Sequence, residues 1–330
     1  MKKAEAMQRL TECMRLQRMS RNTIKTYSDW LDRYITSLAG SQAETIEAKM
    51  GQFLTRIVTQ DKVSASTQKQ ALCAIIYFYK KVLRMEIGDI SFLKSQRAVR
   101  LPAVFSRQEV WRVLDRLDGE GWLWGALMYG CGLRLEETCQ LRVKDVDIDR
   151  RLITVREGKG NKDRVVPLPS LLVEPLQKHI RNLEEVHARF AADRVAVSLP
   201  DRLDKKYPSA PYSWEWFWIF PSSGPCKDPK WEGKLYHVHN TAVQKRIRRA
   251  VLAARIPKKA GCHTFRHSFA THWLENAEGN HEIALKRLQE LLGHSSVKTT
   301  MVYLHLLPKL DNVTSPLDAR PEQAAIRRVA

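Results

Sequence analysis

Residues 262–305, CHTFRHSFATHWLENAEGNHEIALKRLQELLGHSSVKTTMVYLH, hold the residues on which the reading of this chain turns. His263 and Arg266 are three apart, so on a helix they share a face. Gly293 and His294 break a second apolar helix, and Tyr303 falls on a third segment expected to start near Ser295 or Ser296. These side chains suit a phosphodiester. Arginine offers a planar fork to two phosphate oxygens, histidine a donor or proton carrier, and tyrosine an oxygen nucleophile.

The plainer alternatives are that His263 and Arg266 line a solvated helix face and that Tyr303 is half-buried core. His263 and His267, four apart, could also pair on a metal. No HExxH or CxxC accompanies them, however, and no carboxylate stands as an obvious third ligand, so no metal is assigned. HTFRHSFAT followed by LLGHSSVKTTMVYLH resembles the carboxy-terminal signature of the tyrosine recombinases, the phage-integrase family.

With 330 residues the chain can hold two domains with cores of their own. Lysine and arginine number 55 against 36 aspartate and glutamate, for a net charge of +19. Residues 1–100 carry nine of that excess and the remainder ten, so both parts suit a polyanionic partner. Charge alone does not separate an enzyme from a repressor. Six irregularly spaced cysteines argue against a disulfide framework, and MKKAEAMQRLTECMRL is too charged for a signal peptide or membrane span. The expected location is the cytoplasm.

Outward from the decisive stretch, Ser20 can cap a helix with Ile24, Tyr27, Leu31, Tyr34, Ile35 and Leu38 at helical spacing. Further helices are expected near 46–58 and after Ser64 or Ser66. Residues 1–88 resemble, weakly, the family's helical core-binding domain. Residues 89–104, with Lys94, Arg97 and Arg100, read as a basic, DNA-contacting linker. Ser106 and Glu109 match a capping box that opens a second domain, 105–330.

Within that domain, Gly130-Cys131-Gly132 ends a helix before Leu133-Arg134-Leu135-Glu136-Glu137. In isolation Arg134 would be an ordinary salt-bridge partner. In GCGLRLEETCQL it resembles the family's first phosphate-binding arginine, with Glu137 as supporting acid, although Cys139 replaces the usual aliphatic residue. Residues 152–155 and 164–166 read as two strands joined by a Gly/Asn turn. Lys159 in that turn could be merely exposed; the context GKGNKDR resembles the hairpin carrying the family's catalytic lysine, with Lys162 as runner-up. A helix is expected from Ser170 to about residue 191.

Residues 192–235 are longer than a closing loop needs, and Trp214, Trp216 and Trp218 alternate as on one face of an extended strand. Buried core is the simpler account for at least two of them. The segment resembles the insertion of integron integrases, which implies Trp216 and His237 as contacts to bases of a folded strand; Val238 interrupts the usual histidine pair. The stretch between Thr271 and Leu291 is longer than the family spacing, with the surplus near 277–283. The tail at about 310–330 again resembles that subfamily.

The resemblance implies a mainly α fold with a small antiparallel sheet and a site of Arg134, Lys159, His263, Arg266, His294 and Tyr303. It implies DNA strand exchange through a 3′-phosphotyrosine, with double-stranded attachment sites and folded single-stranded cassette sites as partners and a tetramer on DNA. The phosphotyrosine conserves the energy of the diester, so neither ATP nor a divalent metal is required. A phage-type or chromosome-dimer-type recombinase, a topoisomerase and a non-catalytic DNA-binding regulator remain as alternatives.

Overall fold

The computed structural model describes residues 2–96, 102–158, 162–200, 203–227, 232–277 and 281–304. Lys159, Arg97, Arg100 and the tail lie outside the described residues. The chain divides into two compact units, Met1–Arg100 and Leu101–Ala330.

The first unit packs four helices, α1 (Lys3–Leu16), α2 (Arg21–Leu38), α3 (Ile46–Thr59) and α4 (Ala65–Tyr77), the last running into a π-helical turn at Phe78–Val82. Ser20, Thr45 and Ser64 each accept a backbone N–H three residues on, so the starts of α2, α3 and α4 are set by local capping. Helix α1 was not among the sequence expectations. Its charges conceal a stripe of Ala6, Leu10 and Met14, four residues apart and buried in the same core as Leu31, Phe53 and Ile75. Residues 87–95 lie against this unit. Gln68, buried, donates to Leu93 O and accepts from Ser95 N, while Ile87, Ile90 and Phe92 cover the core. Lys94 is exposed.

The second unit opens with α5 (Arg107–Leu114), where Ser106 and Glu109 close the capping box. Helix α6 (Gly119–Gly130) is buried on most of its circumference, as its run of Leu123, Trp124, Ala126, Leu127 and Met128 requires of a central helix. Short α7 (Leu135–Cys139) leads to β1 (Val146–Asp147), β2 (Leu152–Gly158) and β3 (Lys162–Pro167), an antiparallel sheet in the order β1-β2-β3. Ile153 pairs with Val166 and Val155 with Arg164, which turns Ile153, Val155 and Val166 into the core. Helix α8 (Ser170–Ala192) follows.

The 192–235 segment makes a satellite core of Val197, Leu199, Phe217, Trp218 and Leu235 against Leu183 of α8. It contains α9 (Leu203–Lys206) and β4 (Pro221–Pro225), which pairs with β5 (Leu235–His237). The expected tryptophan strand does not form. Trp214–Trp216 is a 3-10 turn, and the chain extends only from Phe217, because the side chains pack into or against a satellite core rather than along one sheet face. Helices α10 (Asn240–Ala253), α11 (Cys262–Glu275), α12 (His281–Leu292) and α13 (Val297–Met301) follow among the described residues.

Candidate active site

Four chain segments converge beside α11. Helix α6 ends at Cys131, and Gly132 turns the chain at φ +63°, where a Cβ would stand 2.5 Å from the ring of Phe269. That turn buries Leu133 and sets Arg134 at the head of α7. Glu137 reaches back, accepting the Arg134 backbone N–H at 2.7 Å and its Nη1 at 2.6 Å. Arg164 of β3 grips the same carboxylate with two nitrogens, Nη1 on Oε1 at 2.9 Å and Nη2 on Oε2 at 2.6 Å. Arg266 lies 3.6 Å from it. Burial would raise this carboxyl, but Arg164, the Arg134 backbone and the charge of Arg266 overcome that and hold it at about 2.

Arg266 is 4% exposed and donates to the carbonyls of Gly132 and Leu292, each at 2.5 Å. Burial and the neighbouring Arg134 push it down to about 9. Gly293, at φ +60°, ends α12, accepts from Arg134 Nη2, and presents His294. His294 receives Arg266 Nη2 at Nε2 (3.3 Å), so its proton sits on Nδ1 and is donated to Thr300 at 2.9 Å. Burial, then Arg266 and Arg134, bring its protonation down to about 4.

Tyr303 follows α13, 4% exposed, its ring stacked on His294 at 6.3 Å between centroids. Its hydroxyl is 3.0 Å from His267 Nδ1. Burial raises the phenol, and Arg266 and Arg134 oppose that. His263, one turn before His267 on α11, is exposed at the edge of the cluster. Of the six residues singled out as catalytic, five therefore meet here and Lys159 is outside the described residues.

Sequence reasoning missed Arg164 and the contact of His267 with Tyr303. Arg164 was read only as a strand residue; the one available signal was a basic residue at an inward register position opposite Val155. Of the insertion residues, Trp214 and Trp218 pack into the satellite core, as the simpler account had it, and His237 is placed differently from expectation. Trp218 is 4% exposed, with Arg142 3.5 Å over its ring. Trp214 stacks on Phe217. Trp216 is half-buried and carries Lys144 Nζ 2.8 Å from its ring centre. His237 is not available as a surface contact: it is 5% exposed, and its Nδ1 is taken by the Val238 carbonyl at 2.7 Å because β5 turns it against Trp218. Among the described residues no cluster of three metal-ligating side chains occurs.

Residues 123–309 match the model of the phage integrase family, and residues 7–89 match its N-terminal SAM-like domain. The chain belongs to the phage integrase family. An integrase/recombinase of Escherichia coli is 38% identical over 328 residues, spanning 97% of this chain and 95% of the relative. Tyrosine recombinase XerA of Thermococcus onnurineus is 29% identical, over 87% and 86% of the two chains. The fold is shared with the Tn1549 transposon integrase, solved in complex with transposon right-end DNA (TM-score 0.64, 17% identity, 90% of this chain and 94% of that one). XerH bound to its difH substrate superposes with a TM-score of 0.59 at 20% identity, covering 89% and 79%. As a phage-integrase family member the protein is an enzyme, a tyrosine site-specific recombinase.

Proposed function

We propose that the protein cuts and rejoins DNA strands as a recombinase of the integron-integrase type. The observation that carries the chemistry is the convergence of Arg134, Arg266, His294 and Tyr303 on one Glu137-anchored cluster. Tyr303 oxygen bonds to the scissile phosphorus while the bond to the 5′ oxygen breaks, leaving a 3′-phosphotyrosine and a 5′ hydroxyl. Arg134 and Arg266 balance the charge on the non-bridging oxygens, where a single well-placed donor is worth roughly 10²–10³ in rate. His263 and His294 donate to the same phosphate once its negative charge raises their affinity for a proton. Lys159 protonates the leaving 5′ oxygen, and resealing reverses each step.

A suicide substrate, nicked so that the released 5′ fragment diffuses away, traps the adduct. Tyr303→Phe is expected to retain DNA binding and lose the adduct; an undiminished adduct would sink the nucleophile assignment.

The subtype rests on the aromatic segment 192–235. A folded strand with unpaired bases has already met the cost of unstacking, and one base–aromatic stack is worth roughly 1–3 kcal/mol. Trp216 is the candidate, with Lys144 leaving its ring for a phosphate. A preference of about thirtyfold for a bulged hairpin over duplex is expected, and Trp216→Ala erases most of it. Burial of His237 and the cation over Trp216 favour a second reading, a recombinase of ordinary duplex sites. Equal affinities for the two DNAs at fixed salt would select that reading.

A further inference from the structure

His267 has no part in the phosphate chemistry above, yet its Nδ1 is the side-chain atom facing the Tyr303 hydroxyl, at 3.0 Å. The other imidazole beside that ring, His294, has both nitrogens engaged, Nε2 by Arg266 and Nδ1 by Thr300. Tyr303 is 4% exposed, so bulk water is poorly placed to receive its proton. A phenol that attacks phosphorus must lose that proton, and the acceptor has to lie within hydrogen-bond reach.

We propose that His267 takes the hydroxyl proton of Tyr303 as the phosphotyrosine bond forms, and returns it when the strand is resealed. The proposal rests on Tyr303 being the nucleophile. In cleavage the proton moves from the Tyr303 oxygen to His267 Nδ1, the phenolic oxygen pair forms the bond to phosphorus, and the bond from phosphorus to the 5′ oxygen breaks. The 5′ oxygen takes its own proton from the general acid, so two protons move at two separate sites. In resealing the imidazolium protonates the departing phenolate.

The surroundings keep His267 unprotonated, and a bound phosphate is what raises its basicity. Burial, then His263 and Arg266, bring His267 down to about 4, so its ring is neutral near pH 7 and keeps one lone pair. A neutral ring with that lone pair on Nδ1 accepts from the phenol, the stronger donor of the two. Arg266 and Arg134 favour the phenolate that results. A phosphate held by those arginines brings a negative charge beside the imidazolium and stabilises it in turn.

The test separates proton transfer from support of the pocket. The full chain is compared with His267→Ala and His267→Gln in single-turnover adduct formation on the suicide substrate. Glutamine can keep a hydrogen bond to Tyr303 but cannot take its proton, and it serves where the alanine variant fails to fold. A second reaction uses an oligonucleotide ending in a 3′-p-nitrophenyl phosphate, in a Tyr303→Phe background. There the acceptor 5′ hydroxyl attacks phosphorus directly and p-nitrophenolate leaves unprotonated, so the Tyr303 proton has no part.

Both His267 variants are expected to slow adduct formation by about 10²-fold or more. Adding either to Tyr303→Phe should leave the activated joining within about twofold. Three results overturn the proposal: His267→Gln forming adduct at the unmutated rate, undiminished adduct in His267→Ala, or equal losses in the two reactions. A Tyr303→Phe protein that still forms adduct overturns this proposal and the nucleophile assignment together. Unaffected His267 variants beside an adduct-dead Tyr303→Phe overturn this proposal alone.

Discussion

Arg164 and Glu137 meet side-on, two guanidinium nitrogens on two carboxylate oxygens, and so tie β3 to the head of α7. Both side chains are buried. The same carboxylate orients Arg134, and Arg164 Nε donates to Leu291 O at the end of α12. One acidic residue therefore positions three arginines contributed by three parts of the chain.

Glu137→Gln leaves Arg164 and Arg266 buried without their counter-charge. Breaking a buried pair in this way costs about 3–5 kcal/mol. Urea unfolding should show a loss of that order, and cleavage should fall with it. A stability change below about 0.5 kcal/mol would place Glu137 among ordinary surface ion pairs.

The two conserving arginine substitutions are expected to differ. Arg134 retains some solvent exposure, so Arg134→Lys should fold and bind DNA nearly normally while losing cleavage with the bidentate fork. Arg266→Lys also loses one of two carbonyl partners, Gly132 or Leu292, in a buried setting, and should unfold earlier by about 1–3 kcal/mol. Matching melting curves for the two variants, measured side by side by calorimetry, would contradict this division.

Gly132→Ala puts a methyl group against the Phe269 ring at a left-handed backbone position. Overpacking of this kind costs about 1–3 kcal/mol, with roughly 1 kcal/mol more for the backbone. The Arg266 partner carbonyl moves with it, so reduced adduct formation should accompany the lower melting temperature. Full stability in the variant would show that the turn adapts freely.

The pH dependence has a definite sign. His267 and His294 have folded values of about 4, below the ordinary 6.5, so the unfolded chain binds more protons between these values. Their contribution is present above pH 6.5 and is lost as pH falls toward 4. Glu137, held at about 2 against an ordinary 4.5, adds a second loss between 4.5 and 2. Melting temperatures across pH 7.5 to 4 should decline, and His294→Gln should flatten the upper part of that slope. An unchanged slope would count against the burial of this imidazole.

Lys159→Ala should impair cleavage of an ordinary phosphodiester, and a substrate with sulfur at the 5′-bridging position should restore it, since a thiolate leaves without a proton. Without selective rescue, the general-acid role passes to Lys162.

Much of the architecture was legible because it depends on neighbours in the chain. Ser20, Ser64 and Ser106 cap helices through atoms three residues away, and Ile153, Val155 and Val166 alternate into the core as strand geometry requires. The order Arg134, His263, Arg266, His294, Tyr303 could be read from local motifs, each with its own glycine or helical spacing. Periodicity says which face of an element is apolar but not which element lies opposite. Arg164 lies 27 residues from Glu137, and His267 lies 36 from Tyr303. The tryptophans show the same limit: alternate spacing suited a strand, but a satellite core enclosing Trp218 drew Trp214–Trp216 into a turn and took His237 out of solvent. Sequence alone thus determined most of the helices but not α1, along with the hairpin and the inventory of reactive groups, since each of these is specified within a few residues. Only the tertiary structure decided which carboxylate anchors the arginines and which imidazole faces the Tyr303 hydroxyl, because those contacts arise from packing between distant segments.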